Sequence, residues 1–335
     1  MNTPVKEFLS EIKVGAKQSH NNMTLYCLLS ASEAPVDFFT LDEALEREIL
    51  IVTELSEGGS VPELKVSNKS DQKVLLLDGE ELVGAKQNRV LNVTILLAPK
   101  SETVIPVSCV EQGRWSYRSR KFGSDSRSMS AYLRKKKAET VTMNLRRGQH
   151  FSSDQGVVWD EIEKKYARME AQPSPTMAMA DLYESCKESA TDYMKAFHAV
   201  DHQVGMIVFI DRAMAGIDII GKFDTLGKTF PKLVNSYVMD ALETAHVEKK
   251  VAAKSLRAMA SKLLESAMGS HIEVRASVAL GNDFRLESTD LLGAGLEFEG
   301  HVLQLSVFSR NGSEEYGPRS RPMVSASRRR GRMTE

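Results

Sequence analysis

The chain has 335 residues, 42% of them hydrophobic and 27% charged, with a formal net charge of −1, which is enough to bury the core of one large or two ordinary domains. No window approaches about 18 uninterrupted apolar residues, and the start MNTPVKEFLSEIKVGAK lacks the apolar stretch of a signal peptide, so the expectation is a cytoplasmic protein without membrane association. Three widely spaced cysteines, Cys27, Cys109 and Cys186, argue against a disulfide framework and a four-cysteine zinc site.

The opening segment reads as a short helix. MTLYCLLS (23–30) reads as a strand, and TLDEALERE (40–48) as a helix capped by Thr40, with Glu43 three residues on to complete a capping box. From Ile49 the pattern turns to β. ILIVTEL, PELKVSN, KVLLLDG, VLNVTILLA and TVIPVSCVE are short runs of Val, Ile, Leu and Thr broken by Gly, Asn, Asp and Pro, as in an antiparallel sheet or sandwich. Residues 116–200 take helical spacing in SMSAYLRKKKAETVTMNL, in GVVWDEIEKKYARMEA with Asp154 as its cap, and, after the PSPT break at 173–176, in MAMADLYESCKESATDYMKAFHA. A second β-containing block follows: VGMIVFID (204–211), a turn at RAMAG, IDIIGKF (217–223), helices over 226–245 and 250–268, and a meander of HIEVRASVAL, DFRLEST, LLGAGLEFEG and HVLQLSVFS.

These elements predict an α+β protein with an N-terminal antiparallel β-rich, sandwich-like half, central helices, and a C-terminal helix-plus-antiparallel-sheet half. The expected division is 1–200, 201–316 packed on the first, and a basic tail at 317–335. That tail, with Arg319, Arg321, Arg328, Arg329, Arg330 and Arg332, has too few apolar residues to fold and reads as disordered.

One stretch concentrates polar chemistry. In LLLDGEELVGAKQNR (75–89), Asp78-Gly79 and Gly84 mark turns, so Asp78, Glu80, Glu81 and Lys86, Gln87, Asn88 and Arg89 fall in or beside loops at strand ends. Glu111, Arg114 and Trp115 emerge at the end of IPVSCVE and would approach the same region. Together they would supply acid/base groups (Asp78, Glu80, Glu81, Glu111), anion holders (Arg89, Arg114), a further ligand-binding cation (Lys86), orienting groups (Gln87, Asn88) and a stacking face (Trp115). The same residues would equally build a buried salt-bridge and amide network joining the two halves.

Other features carry less. Cys109 lies between apolar residues with no histidine nearby to activate it and reads as a core thiol. GKFDTLGKT (221–229) has five residues between its glycines where a phosphate-binding loop has four, and reads as a strand end followed by a helix. His198 and His202 have the i, i+4 spacing of a helical metal pair, but the glutamate expected beside the first is Ala199, so no metal site is assigned. The basic segment 113–150, with Trp115, Tyr117 and Tyr132 among its Arg and Lys, would suit non-specific nucleic acid together with the tail, or leave RKKK (134–137) as a solvated helix face.

The blocks EGGSVPELKVSN, LLLDGEELVGAKQNRVLN, IPVSCVEQGRW, SDQGVVWDEI, SPT and GMIVFIDRAMAGIDIIGKFDTLGKTFPKLVNSYVMDAL resemble the ADP-ribosylglycohydrolase and rhodanese-phosphatase superfamily associated protein domain, a bacterial domain of unknown function, from about residue 40 to 245. The resemblance implies association with enzymes that handle ADP-ribose or phosphoryl groups. With no redox-cofactor fingerprint such as G-x-G-x-x-G after a strand, the cofactor is left open. Hydrolysis or group transfer on a nucleotide-derived small molecule, ADP-ribose-like or phosphorylated, is one expectation. The other is a non-catalytic adaptor or sensor in a stress or conflict pathway, binding a protein or RNA partner.

Overall fold

The computed structural model describes residues 3–60, 62–245 and 255–310, and the expected basic tail lies outside them. Helix α1 (Pro4–Glu11) starts where Thr3 accepts the Lys6 N–H and ends at an extended Ile12. The chain then enters strand β1 (Lys13–His20) and returns as β2 (Met23–Leu29), through a turn in which Asn21 takes φ 46°. The expected opening helix therefore covers only the first part of its segment. β1 is a largely exposed edge strand, so no apolar alternation announces it.

β2 pairs not with its neighbours in sequence but with β12 (Gln203–Ile210), a strand buried along its whole length. Asp211 and Arg212, both at positive φ, turn the chain into β13 (Ala213–Ile220), so the second strand begins inside the expected turn RAMAG. β14 (His271–Ala276), β15 (Asn282–Glu287), β16 (Leu291–Phe298) and β17 (His301–Ser309) form the expected meander. The sheet runs β1-β2-β12-β13-β17-β16-β15-β14, antiparallel throughout. Helix α7 (Phe223–Thr244) lays Leu226, Phe230, Leu233, Val234 and Tyr237 on one face against Met206, Val208 and Phe308. On the other face α1 and α8 (Leu256–Gly269) bury Leu9, Ala260 and Leu264 against Phe209, Ile219 and Leu305.

The remaining strands make two smaller sheets. β4 (Leu50–Glu54), β5 (Glu63–Asn68), β7 (Glu81–Gly84), β8 (Arg89–Leu91), β10 (Glu102–Cys109) and β11 (Phe122–Gly123) form one, in the order β11-β7-β8-β10-β5-β4. β3 (Phe38–Thr40), β6 (Lys73–Leu76) and β9 (Ile95–Leu97) form the other, with β3 and β6 parallel. VLNVTILLA is thus two strands in different sheets. Between them the Asn92 side chain donates to Phe151 O and the Thr94 hydroxyl accepts the Asp78 N–H, so side-chain bonds turn the chain where a ladder would have continued. Helix α2 (Leu41–Glu46) carries the expected capping box. Helices α3 (Ala131–Arg146), α4 (Gln155–Arg168), α5 (Met179–Ser185) and α6 (Lys187–Ala196) form the central layer, the last two splitting a single expected helix at Cys186. Among the described residues no helix is long and apolar enough to cross a membrane.

Candidate functional site

The DGEE turn between β6 and β7 sends its three acids in different directions. Gly79 takes φ 82°, and a Cβ there would lie 2.6 Å from Arg134 Cδ, so glycine lets α3 pass close over the turn. Asp78 binds the ammonium of Lys137 on α3, which also donates to Leu91 O. Glu80 binds Lys232 on α7, which reaches Asp42 at 2.9 Å, while its other oxygen accepts the Leu77 N–H at 2.7 Å. Glu81 accepts from Asn88 Nδ2 at 3.2 Å and lies 3.5 Å from Arg127 Nε.

The rest of the sequence-marked residues fall into two neighbouring groups, one of them holding Glu81. Glu111, just beyond β10, accepts Arg114 Nε at 2.8 Å, Arg114 Nη2 at 2.6 Å and the Asn88 N–H at 3.1 Å. The other Arg114 donors go to the carbonyls of Ala85, Ser116 and Gly84 and to Asn88 Oδ1, so this guanidinium is spent within the chain. Gln87 Oε1 accepts from Arg89 Nη1 at 3.0 Å. Lys86 Nζ donates to the carbonyls of Glu57 and Gly58, and it and Arg89 Cζ sit 5.3 and 5.5 Å from the Trp115 ring. Glu81, Asn88, Glu111 and Arg114 therefore form one hydrogen-bonded network, and Lys86, Gln87, Arg89 and Trp115 a second group beside it. Asp78 and Glu80 belong to two others.

Burial sets the protonation of these acids. Glu81 is fully buried, and loss of water raises its pKa to about 7 against the opposing pull of Arg127 and Asn88. Burial also raises Glu80, with Lys232 opposing. Burial pushes Glu111 upward too, but the Arg114 and Asn88 hydrogen bonds outweigh it and hold Glu111 below the ordinary carboxylate range. The Cys109 thiol is buried and pushed up to about 11, chiefly by desolvation, which suits the core role expected of it.

Beside the acidic turn lies an open groove of about 700 Å³ between the 125–127 segment, helices α5 and α6, and α7. Arg127 and Lys232 line it, each with one of the two adjacent glutamates, Glu81 and Glu80, directly behind. Lys187 and Lys195 on α6, Tyr183 and Asn235 complete the part that matters chemically, with Asp125 and Glu184 also on the wall. Arg127 is steadied by Asp125 and by the Ala180 carbonyl at 3.1 Å. The sequence reading did not single out Lys187, Lys195 or Lys232. The signal was there in part, since Lys187, Thr191 and Lys195 recur at i, i+4 and i+8 on α6 and share a face.

Geometry corrects one of the two alternatives held for RKKK, and it separates the two histidines to which no metal site is assigned. RKKK is not a solvated face: Arg134 and Lys137 are buried in ion pairs with Asp218 and Asp78, and buried Lys135 donates to Arg310 O. What remains exposed in the basic segment is Arg118, Arg120 and Lys121, near the half-exposed Trp115 and Tyr117 in sequence, and Arg146 and Arg147 at the end of α3. His198 and His202 do not share a helix face, because α6 ends at Ala196 and His202, at φ 57°, sits in the turn before β12. Among the described residues no cluster of His, Cys, Asp and Glu is arranged to hold a metal ion.

No curated protein and no solved structure matches the chain. A family model does, over residues 11–308, a span that takes in β1 and β2 with the rest of the large sheet and nearly all of β17. The chain belongs to the family described as the ARG and Rhodanese-Phosphatase-superfamily-associated Protein domain.

Proposed function

We propose that the groove binds a phosphorylated, nucleotide-derived ligand of ADP-ribose-like size and charge, and that Glu81, buried behind Arg127 and not itself on the groove wall, exchanges a proton in hydrolysis or group transfer once Arg127 turns onto the ligand and uncovers it. The observation that carries this reading is the set of cations on the groove wall: Arg127 and Lys232, backed by the buried acids Glu81 and Glu80, and Lys187 and Lys195 on α6, which among the described residues pair only with the exposed Glu184 and Asp192. A volume of about 700 Å³ lies within the range of small-molecule sites, roughly 300–1,000 Å³. Arg127, Lys187 and Lys195 would take phosphate oxygens, Asn235 a ribose or base group, and the Tyr183 ring an apolar face, while Lys232, held by Glu80 and Asp42, adds positive charge from behind. A carboxyl raised to about 7 is partly ionised at neutral pH, the condition for accepting and returning a proton there. The Asn88–Glu111–Arg114 network supports this by fixing where Glu81 points.

Titration calorimetry of the full chain with ADP-ribose tests the reading. Arg127→Ala and Lys187→Ala should each weaken binding about tenfold, while Glu81→Gln should bind ligand but release no product. Wild-type affinity in both cation variants, or no heat with millimolar ADP-ribose, rules the groove out. The non-catalytic alternative, an adaptor or sensor for a protein or RNA partner, draws support from Arg118, Arg120 and Lys121, near Trp115 and Tyr117 in sequence. It requires RNA affinity that falls steeply as salt rises.

A further inference from the structure

Arg89 is fully buried, yet only Nη1 is spent, on Gln87 Oε1. Nε and Nη2, the two nitrogens that make the side-on edge of the guanidinium, have no hydrogen-bond partner. Beside them stands Glu54, also buried. Its Oε1 takes the Lys86 N–H at 3.4 Å and is 4.0 Å from Arg89 Nη2, too far for a hydrogen bond, and its Oε2 has no partner. A pair of unspent donors next to an unspent acceptor is a costly arrangement in a protein interior unless something else completes it. Neither residue lines the groove described above, and the inference does not rest on ligand binding there.

On its outer side this pair is covered by a partly exposed side chain. Trp115 lies over the guanidinium but is 46% exposed, on the irregular stretch between β10 and β11. Its ring abuts Gly59 at φ 77°, where a Cβ would come within 3.1 Å of Trp115 Cζ2 and 3.4 Å of Glu54 Oε2. Among the described residues, the Gly58–Gly59 turn, the half-exposed indole and the Lys86 side chain, which is bonded to the Glu57 and Gly58 carbonyls, cover the site.

We propose that Arg89 and Glu54 read a guanine base, admitted when Trp115 swings off the guanidinium and restacks on the base. The guanine perimeter presents N7 and O6 as acceptors and then N1–H and N2–H as donors. Two arginine donors followed by a carboxylate match that order. Adenine sets a donor at N6 between acceptors at N7 and N1 and so opposes an Arg89 N–H with its own. Inorganic phosphate would satisfy Arg89 but leave its charge against Glu54. The indole supplies the stacking face that any base accepts.

The test is a tryptophan-fluorescence titration of the full chain with guanosine, adenosine and inorganic phosphate, with Trp115→Phe identifying the reporter against Trp159. Guanosine should shift the emission saturably, adenosine and phosphate should not, and Trp115→Phe should abolish the response. Inosine, which lacks the N2 amino group, and 7-deazaguanosine, which lacks N7, should each bind at least tenfold more weakly. These two ligands test the contacts on the unaltered protein, so the outcome does not depend on Arg89→Lys or Glu54→Gln folding. Where those variants do fold, they should lose the guanosine preference and keep any ADP-ribose binding in the groove. An equal response to adenosine, a response to phosphate alone, no saturable response to millimolar guanosine, or a response lost in Arg127→Ala but kept in Glu54→Gln overturns the proposal.

Discussion

Glu81 has no water to stabilise its charge, and its partners, Asn88 and the edge of Arg127, only partly replace it. Its folded pKa of about 7 stands above the ordinary 4.5, so the folded state holds a proton that the unfolded chain releases earlier. The associated stability is fully present below about pH 4.5 and is lost as pH rises through 7, a loss of about 3 kcal/mol once the carboxylate is ionised in both states. Glu111, whose pKa lies below the ordinary value, acts with the opposite sign, so its contribution is present near neutrality and is lost on acidification. The difference between wild type and Glu81→Gln isolates the first effect. Urea denaturation at intervals from pH 5 to pH 8 should show wild type losing stability relative to Glu81→Gln across that span. Parallel curves would mean that Glu81 is ionised throughout and unsuited to proton transfer at neutral pH.

Helix α3 shows what charge means when its partner is distant. Its Arg134 forms a two-pronged pair with Asp218 of β13 at 2.8 Å on each arm, and Asp218 is further held by the hydroxyls of Tyr237 and Ser306. One turn further on, Lys137 reaches Asp78, so the helix clamps the large sheet to the acidic turn. Arg134→Ala strands a buried carboxylate and should cost about 3–5 kcal/mol by urea denaturation, whereas Arg134→Leu with Asp218→Leu should recover most of it. If the single change costs under about 1 kcal/mol, the pair is not the clamp. Sequence periodicity has no access to this. RKKK reads as a solvated run because Asp218 is 84 residues away, and only the fold brings it near. What was legible followed from local chemistry: the Thr40–Glu43 capping box, the Asp154 cap, and the strands from Leu50 onward. The meeting of Lys86–Arg89 with Glu111–Arg114 could also be anticipated from turn residues at strand ends. The scattering of Asp78, Glu80 and Glu81 could not, because each acid follows a cation supplied by a different element.

At the scale of the whole molecule, the decisive contact is the pairing of β2 with β12, which builds one sheet from opposite parts of the chain. Reading the chain in order suggests a boundary near residue 200, since a helical layer ends there and a new β block begins. The sheet, however, places Met23–Leu29 along one edge of Gln203–Ile210 and covers its apolar faces from both sides, with α7 on one and α1 and α8 on the other. A fragment of residues 201–316 would leave the β12 edge unpaired, and α1 would no longer cover Phe209 and Leu305. Such a fragment should give no cooperative thermal transition and should associate through the open edge. In the full chain, amide exchange should slow together in β2 and β12, as in one cooperative unit. A sharp melt of the isolated 201–316 segment, or fast exchange in β2 beside slow exchange in β12, would show instead that the C-terminal sheet stands alone and that β1 and β2 are attached to it afterwards. In that case the groove, whose wall combines α7 with the 125–127 segment and α6, would lie between two separately folding parts, and ligand affinity would report on their docking.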